Sequence, residues 1–158
     1  MKALIVGGLS AVILAAGLAA QAQQPDIEDQ IEFRQAGYKF MSWNMGKIKA
    51  QVIDGSVEYD PLQVQAAANA IAAISNSGMG ALFSPGSSRA EMGEITALRP
   101  EFFQNLDEAG RLGRNFNVAA NNLASEAASG DQARIRRAFG EVGQTCKACH
   151  DEFRFSRQ

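Results

Sequence analysis

Histidine and cysteine are scarce in this 158-residue sequence, which contains one histidine and two cysteines. A closed zinc site takes four ligands of these types, so these three side chains cannot complete one. The sequence also lacks a basic excess, because 15 lysines and arginines stand against 17 acidic residues. The formal net charge of −2 argues against nucleic acid as a partner. A phosphate-binding loop, a paired-carboxylate motif and a low-complexity tract are also missing from the sequence.

The scarce residues stand together in the motif Cys146-Lys147-Ala148-Cys149-His150. C-x-x-C-H is the attachment signature of a c-type haem: the two thiols form thioethers with the haem vinyl groups, and the imidazole ligates the iron. The alternative is a thioredoxin-like redox pair, but that needs a βαβ setting which the sequence does not show. We therefore predict one haem c, bound covalently through Cys146 and Cys149, with His150 as an axial ligand.

The N-terminal residues have the pattern of an export signal. A short positive end precedes an apolar run from Ala3 to Ala20, and the run ends in the small-x-small motif Ala20-Gln21-Ala22. The run is nearly long enough for a membrane anchor, but the cleavage motif and the polar residues after it favour removal. We predict a signal peptide over residues 1–22 and a domain over 23–158 in the periplasm, with no stable membrane insertion after cleavage.

The first predicted helix extends from Ile27 to Val52, where seam residues recur in steps of four and three. That spacing is typical of a helix in a bundle, and Gly55 is placed to end it. One seam position holds Arg34, a charged residue that needs a partner of opposite charge. A haem propionate would be such a partner. The alternatives are that Arg34 reaches the end of the bundle or pairs with Asp29 or Glu32.

Three further helices follow. Asp60-Pro61 has the pattern of a helix start, and the stripe that follows is mostly alanine, which suits tight packing within the chain or between subunits (Leu62, Ala66, Ala70, Ala73, Ile74). Residues 76–99 predict a long loop with an apolar centre that packs over another part of the protein. A third helix is predicted from Pro100 to about Ala128.

The fourth predicted helix carries the haem motif. Gly130 ends the third helix and Asp131 caps the fourth, which turns a set of apolar residues inward (Ile135, Ala138, Phe139, Val142). If the helix continues through the motif, both cysteines and the histidine share one face. No alternating apolar segment argues for a strand. We predict an all-α, up-down-up-down four-helix bundle with covalently bound haem c near one end of its core.

Several of these motifs resemble cytochrome c′, the class II c-type cytochromes. The similarity covers nearly the whole mature sequence and rests on Arg34-Gln35, on Phe83-Ser84-Pro85-Gly86, and on the run from Gly130 into Cys146–His150. It implies a periplasmic homodimer of four-helix bundles, packed through the first two helices. It also implies a five-coordinate iron held by His150.

The resemblance further implies roles for side chains around the haem. The sixth iron position is crowded by a residue of the first helix, which matches Tyr38, and the family's arginine and glutamine reach the propionates, which matches Arg34 and Gln35. Met41 is then expected to pack against the haem, and Phe83 to cover it from the loop. An ordinary seam role for Tyr38 is the alternative.

The expected function follows from these roles. Proteins of this family bind nitric oxide and carbon monoxide and are also assigned electron transfer; the redox partner is not predicted. The alternative is a low-spin electron carrier in which Met41 or Met45 takes the sixth position. A haem peroxidase usually needs a distal acid–base group to cleave the O–O bond, and the sequence has no second histidine to supply one. Arg34 cannot act as a base at neutral pH, so we do not expect an enzyme.

Overall fold

The computed structural model describes residues 25–156 and is mostly helical over that range. The predicted signal peptide lies outside the described residues. The α-helices are α1 (Ile27–Ile48), α2 (Pro61–Ser75), α3 (Arg89–Met92), α4 (Glu101–Gln104), α5 (Leu106–Ser129) and α6 (Gln132–Phe153). Between residues 25 and 156, β structure is limited to one isolated antiparallel bridge between Leu98 and Arg154. None of the described helices has the length and apolar character needed to cross a membrane.

Helix α1 turns most of its predicted seam into the bundle, with Tyr38 as an exposed exception. The carboxylate of Asp26 caps it by accepting from the Asp29 N–H at 2.9 Å, and Ile31 and Ile48 are buried. The α-helix ends earlier than predicted, because Lys49–Ile53 forms a wider π-helical turn. This turn keeps Val52 buried and leaves its carbonyl to accept from Nη2 of Arg136 on α6 at 2.7 Å.

The alanine stripe predicted for α2 is largely on the outer surface of this chain. The predicted cap is confirmed, since the Asp60 carboxylate accepts from the Leu62 N–H at 2.9 Å. Leu62 and Ala66 are exposed, however, and the buried side uses other residues (Val64, Ala67, Ala68, Ile71, Ala72). Several faces of α2 carry alanine, so the sequence of this helix alone does not predict which face is buried. Of the two predicted alternatives, packing within the chain does not hold for most of the stripe, and packing between subunits stays a prediction.

The third predicted helix is divided. Asn105 adopts a non-helical backbone (φ −131°, ψ 49°) between α4 and α5, and its side-chain amide donates to the Glu101 carbonyl at 3.0 Å. The long loop before it also contains helical turns, at Met79–Leu82, α3 and Gly93–Ile95. Leu106, which a continuous helix would turn inward, is 59% exposed.

Helix α6 begins and packs as predicted. Gly130 has a left-handed φ of 71° that closes α5, and the Asp131 carboxylate accepts from the Ala133 N–H at 2.9 Å. Ile135 and Val142 are fully buried. The helix continues without a break through the haem motif to Phe153.

The four long helices pack in sequence order, α1 against α2, α2 against α5 and α5 against α6. This is the up-down-up-down four-helix bundle that the sequence predicts. Its main core is lined by small and branched side chains (Met41, Ile48, Val52, Val64, Ala67, Ala68, Ile71, Ala119, Ala120, Leu123, Ala127, Ile135, Ala138, Val142). A second, small cluster lies at the end that carries the motif (Ala109, Leu112, Phe153, with Leu98, Phe102 and Cys149 beside it).

Candidate haem site

The three residues of the predicted attachment lie on one face of α6. The helix is regular through Cys146, Cys149 and His150, so their spacing of i, i+3 and i+4 aligns them. Both cysteines are free and partly buried. Cys146 packs against the main core and Cys149 against the small cluster, which places the motif where the two meet.

The environment keeps these groups in their neutral forms. Burial raises the pKa of both thiols, and the charge of Cys149 raises the pKa of Cys146 further. Burial also lowers the pKa of His150, with a further lowering by Arg154 and an opposing effect of Asp151. A neutral imidazole is the form that ligates a metal.

Tyr38 of α1 lies on the same side of the bundle as the cysteines. Burial raises the pKa of its phenol to about 12; Cys149 and Cys146 act in the same direction, and Arg34 acts against them. The phenol is therefore protonated at neutral pH. The side chain is 42% exposed, so the burial that raises its pKa is partial and the phenol remains accessible to solvent.

Arg34 is buried and binds the long loop. It is only 3% exposed. Its Nη1 donates to the Leu82 carbonyl at 3.0 Å and to the Ser87 hydroxyl at 2.8 Å. Its Nη2 donates to the Ser87 carbonyl at 2.8 Å and to the Thr96 hydroxyl at 2.9 Å. Burial lowers the pKa of the guanidinium, with an opposing effect of Tyr38.

These contacts differ from the partners considered from the sequence. Arg34 donates to uncharged loop acceptors and pairs with neither Asp29 nor Glu32. Gln35 donates to the Ile95 carbonyl at 2.6 Å and so also holds the loop. Contact of Arg34 and Gln35 with the haem propionates stays a prediction.

Phe83 extends from this loop into an aromatic group at the same end of the bundle. Its ring stacks on Phe102, with centroids 4.8 Å apart, and the Arg34 guanidinium lies 4.7 Å from its centroid. Phe102 in turn meets Phe153 edge-on at 5.3 Å. Phe83 thus packs the loop against α4, and α4 in turn packs against the end of α6.

Met41 belongs to the main core, where it is 5% exposed, and Met45 is partly buried beside that core. Both methionines are therefore on the inner side of α1. Their expected contact with the haem, like the covering role of Phe83, stays a prediction.

The sequence did not single out Arg99, which lines a cavity of about 450 Å³ beside His150. Asp151, Arg154 and the residues after it complete the lining (Phe155, Ser156). Arg99 stands in the loop, far from the motif along the chain. Only the fold brings it to the end of α6, so no local signal could have revealed it.

The residues present fit a covalently bound haem. Two thiols and a neutral imidazole share one helical face, and aromatic side chains surround the small cluster beside them. Among residues 25–156, no group of three or more His, Cys, Asp or Glu side chains is arranged to hold a metal ion without such a cofactor. The buried Nε of Arg99 also lacks a hydrogen-bond partner, as expected beside a group with acceptor oxygens.

Comparison with known proteins identifies the family to which this chain belongs. Residues 29–154 match the family model described as Cytochrome C′. The chain is 50% identical over 153 residues to the cytochrome c′ of Allochromatium vinosum, covering 95% of this chain and 97% of the relative.

Two solved structures are also similar. One is a cytochrome c′ with a ligand-controlled dimer dissociation (52% identity, TM-score 0.77, covering 84% of this chain and 98% of that one). The other is the nitric oxide complex of a variant of the Alcaligenes xylosoxidans protein (29% identity, TM-score 0.74, covering 84% and 98%). With the family model matching most of the chain, this protein belongs to the cytochrome c′ family.

Proposed function

We propose that this protein is a periplasmic haem c protein that binds nitric oxide and carbon monoxide at an open iron position and transfers single electrons. The observation that carries the proposal is the shared face of Cys146, Cys149 and His150, with Tyr38 of α1 on the same side of the bundle. The nitric oxide complex of a relative supports the choice of ligand.

Each residue has a separate task. A bound haem supplies an iron that can coordinate a small ligand and change its charge by one electron. Cys146 and Cys149 would hold the group through thioethers, and His150 would ligate its iron. Because α6 is regular and anchored in the core at Val142, it fixes the orientation of all three.

Tyr38 would limit which ligands reach the iron of a bound haem. Its neighbours on α1, Arg34 and Met41, are both buried, so the backbone that carries the phenol is fixed. A ligand must displace the side chain, and a diatomic gas needs less room than a larger molecule. We therefore propose that Tyr38 selects small ligands by crowding.

Spectroscopy of the purified holoprotein tests the proposal. We expect high-spin optical and electron-spin-resonance spectra, with ready binding of carbon monoxide by the ferrous form. Low-spin spectra that resist carbon monoxide would overturn gas binding and favour the second candidate, an electron carrier with Met41 or Met45 as the sixth ligand. Covalent attachment is checked by mass: C146A/C149A should carry no bound haem, and A148S, between the cysteines, should match wild type.

We further propose that the protein forms a homodimer through α1 and α2. Phe33, Phe40 and Trp43 lie on one outward face of α1 and are 53%, 49% and 56% exposed. On α2, Leu62 is 75% exposed. A groove of about 400 Å³ joins the two helices (Trp43, Gly46, Lys47, Ala50, Gln51, Val57, Gln63). Large exposed apolar patches of this kind are typical of interfaces.

Sedimentation tests the dimer. W43E places a charge on the proposed interface and should give a monomer. V118E makes the same kind of change on α5, where Val118 is 68% exposed, and should remain dimeric. A dimeric W43E protein would contradict the proposed interface.

Ligand binding is proposed to weaken this dimer. Tyr38 and the outward aromatic residues share one helix, so displacement of the phenol can rearrange the side chains at the interface without moving the α1 backbone. A related cytochrome c′ is described as having a ligand-controlled dimer dissociation. Equal dimer affinity with and without carbon monoxide would dismiss this coupling.

We propose that the protein is not an enzyme, because the sequence has no second histidine to act as a distal acid–base group. Peroxide turnover at an enzyme-like rate would overturn this proposal.

We also propose that the protein is exported. Mass spectrometry of protein from the periplasm tests this: the mature chain should begin at Gln23. Recovery of the uncleaved chain from the cytoplasm would contradict it.

A further inference from the structure

Arg99 has an unfilled pair of hydrogen-bond donors beside the predicted iron ligand. Its Nε is buried without a partner in the described part of the chain. Its Nη1 makes one long hydrogen bond, to the Glu152 carbonyl at 3.5 Å, and its Nη2 makes none within residues 25–156. Nε and Nη2 form one edge of the planar guanidinium, the edge that can bind a carboxylate through two parallel hydrogen bonds.

The fold holds this side chain in place. The backbone N–H of Arg99 donates to the Phe153 carbonyl at 2.9 Å, next to the bridge between Leu98 and Arg154. The guanidinium carbon lies 5.2 Å from the centre of the Phe155 ring. Its position beside the cavity is therefore set by contacts that do not use the Nε–Nη2 edge.

The charges around this cavity favour an anion. Arg99 and Arg154 both line it, and neither forms a salt bridge within the described residues. The acidic residue in the lining, Asp151, is paired with Lys147. Two positive side chains thus face a space that His150 also lines.

Arg34 offers a contrast. The four N–H groups on its two terminal nitrogens are already donated to the loop. Arg99, by comparison, keeps a complete carboxylate-binding edge. We propose that Arg99 binds a propionate carboxylate of the haem and so fixes the orientation of the group relative to His150. This inference rests on the proposed haem attachment.

Two substitutions of Arg99 in the holoprotein test the inference. R99Q should shift the propionate bending bands in the resonance Raman spectrum, because the two hydrogen bonds are lost. It should also lower the reduction potential, because removal of a positive charge favours the ferric state. R99K should keep the potential closer to wild type while the Raman bands still move, since an ammonium cannot reproduce the bidentate geometry.

Arg89 supplies a matched control. Its guanidinium carbon lies 5.3 Å from the centre of the same Phe155 ring, but it is paired with Glu94. R89Q should leave the propionate bands unchanged. Equal band shifts in R89Q and R99Q would mean a general effect of charge and would overturn the proposal.

Covalent haem content separates the role of Arg99 from the proposed haem attachment. Unchanged bands and potential in R99Q with full covalent haem content would overturn the role of Arg99 alone. A wild-type chain without covalent haem would overturn the proposed function itself. If R99Q does not fold, R99K carries the Raman test, and unchanged bands in that variant would overturn the proposal.

Discussion

Arg34 is bound to Ser87 through both of its terminal nitrogens: Nη1 donates to the hydroxyl and Nη2 to the carbonyl, each at 2.8 Å. Further bonds to Leu82 and Thr96 attach α1 to both ends of the same loop segment. Arg34, the charged residue of the α1 seam, therefore has a structural role that does not depend on a bound haem. It fixes the loop that carries Phe83.

Replacement of Arg34 should destabilise the protein. R34M leaves the buried Ser87 and Thr96 groups without their donor, and we expect the free energy of unfolding to fall by about 2–4 kcal/mol. Urea unfolding measures the change. Q35M is the control: it removes one exposed hydrogen bond, to Ile95, and should cost less than about 1 kcal/mol. Equal losses in the two variants would contradict the anchoring role of Arg34.

Removal of the Tyr38 ring should ease ligand binding. In Y38A we expect carbon monoxide affinity to rise by at least about tenfold, or ~1.4 kcal/mol, because no side chain has to move. Y38F keeps the ring and should stay close to wild type. Equilibrium titration of the ferrous protein measures both. If Y38F matched Y38A, the hydroxyl rather than the ring would control binding.

Tyr38 should also contribute to the alkaline limit of stability. Its pKa is raised to about 12 in the folded protein, above about 10 in an unfolded chain. The folded state therefore binds this proton more tightly, and the resulting stabilisation is present below about pH 10 and is lost as the pH rises toward 12. Y38F should lose less stability than wild type over this interval. If the free energies of unfolding of the two proteins fell equally as the pH rose over this interval, Tyr38 would make no such contribution.

The alanines of the core should tolerate no larger side chain. Ala120 on α5 has no exposed surface, so A120L must push helices apart at a cost of about 1–3 kcal/mol or more. A128L, at an exposed position of the same helix, should change stability by less than about 0.5 kcal/mol. Thermal unfolding of both variants compares them. A stable A120L protein would show that the bundle can expand at this level.

Features encoded by neighbouring residues could be predicted from the sequence. The caps at Asp60 and Asp131 and the left-handed turn at Gly130 need only a few adjacent residues, and all three are present. The shared face of the haem motif follows in the same way from helical periodicity. These local rules fixed four long helices, and with them the bundle.

Features set by distant contacts could not be predicted. Alanine occurs on several faces of α2, so burial of Ala68 rather than Ala66 depends on which neighbours pack there. The break at Asn105 accompanies the packing of Phe102 on Phe153, which no helix propensity describes. The loop partners of Arg34 are likewise remote in sequence.

The bridge between Leu98 and Arg154 affects how the end of α6 exchanges hydrogen with solvent. Helix ends and chain ends usually fray, and their amide protons exchange quickly. Here the Arg99 N–H is bonded to the Phe153 carbonyl and the Phe155 N–H to the Ala97 carbonyl, each at 2.9 Å. These two amides should therefore exchange at rates closer to those of the α6 interior than to those of an open coil. His150 is thus carried by a helix end whose opening requires release of the loop as well.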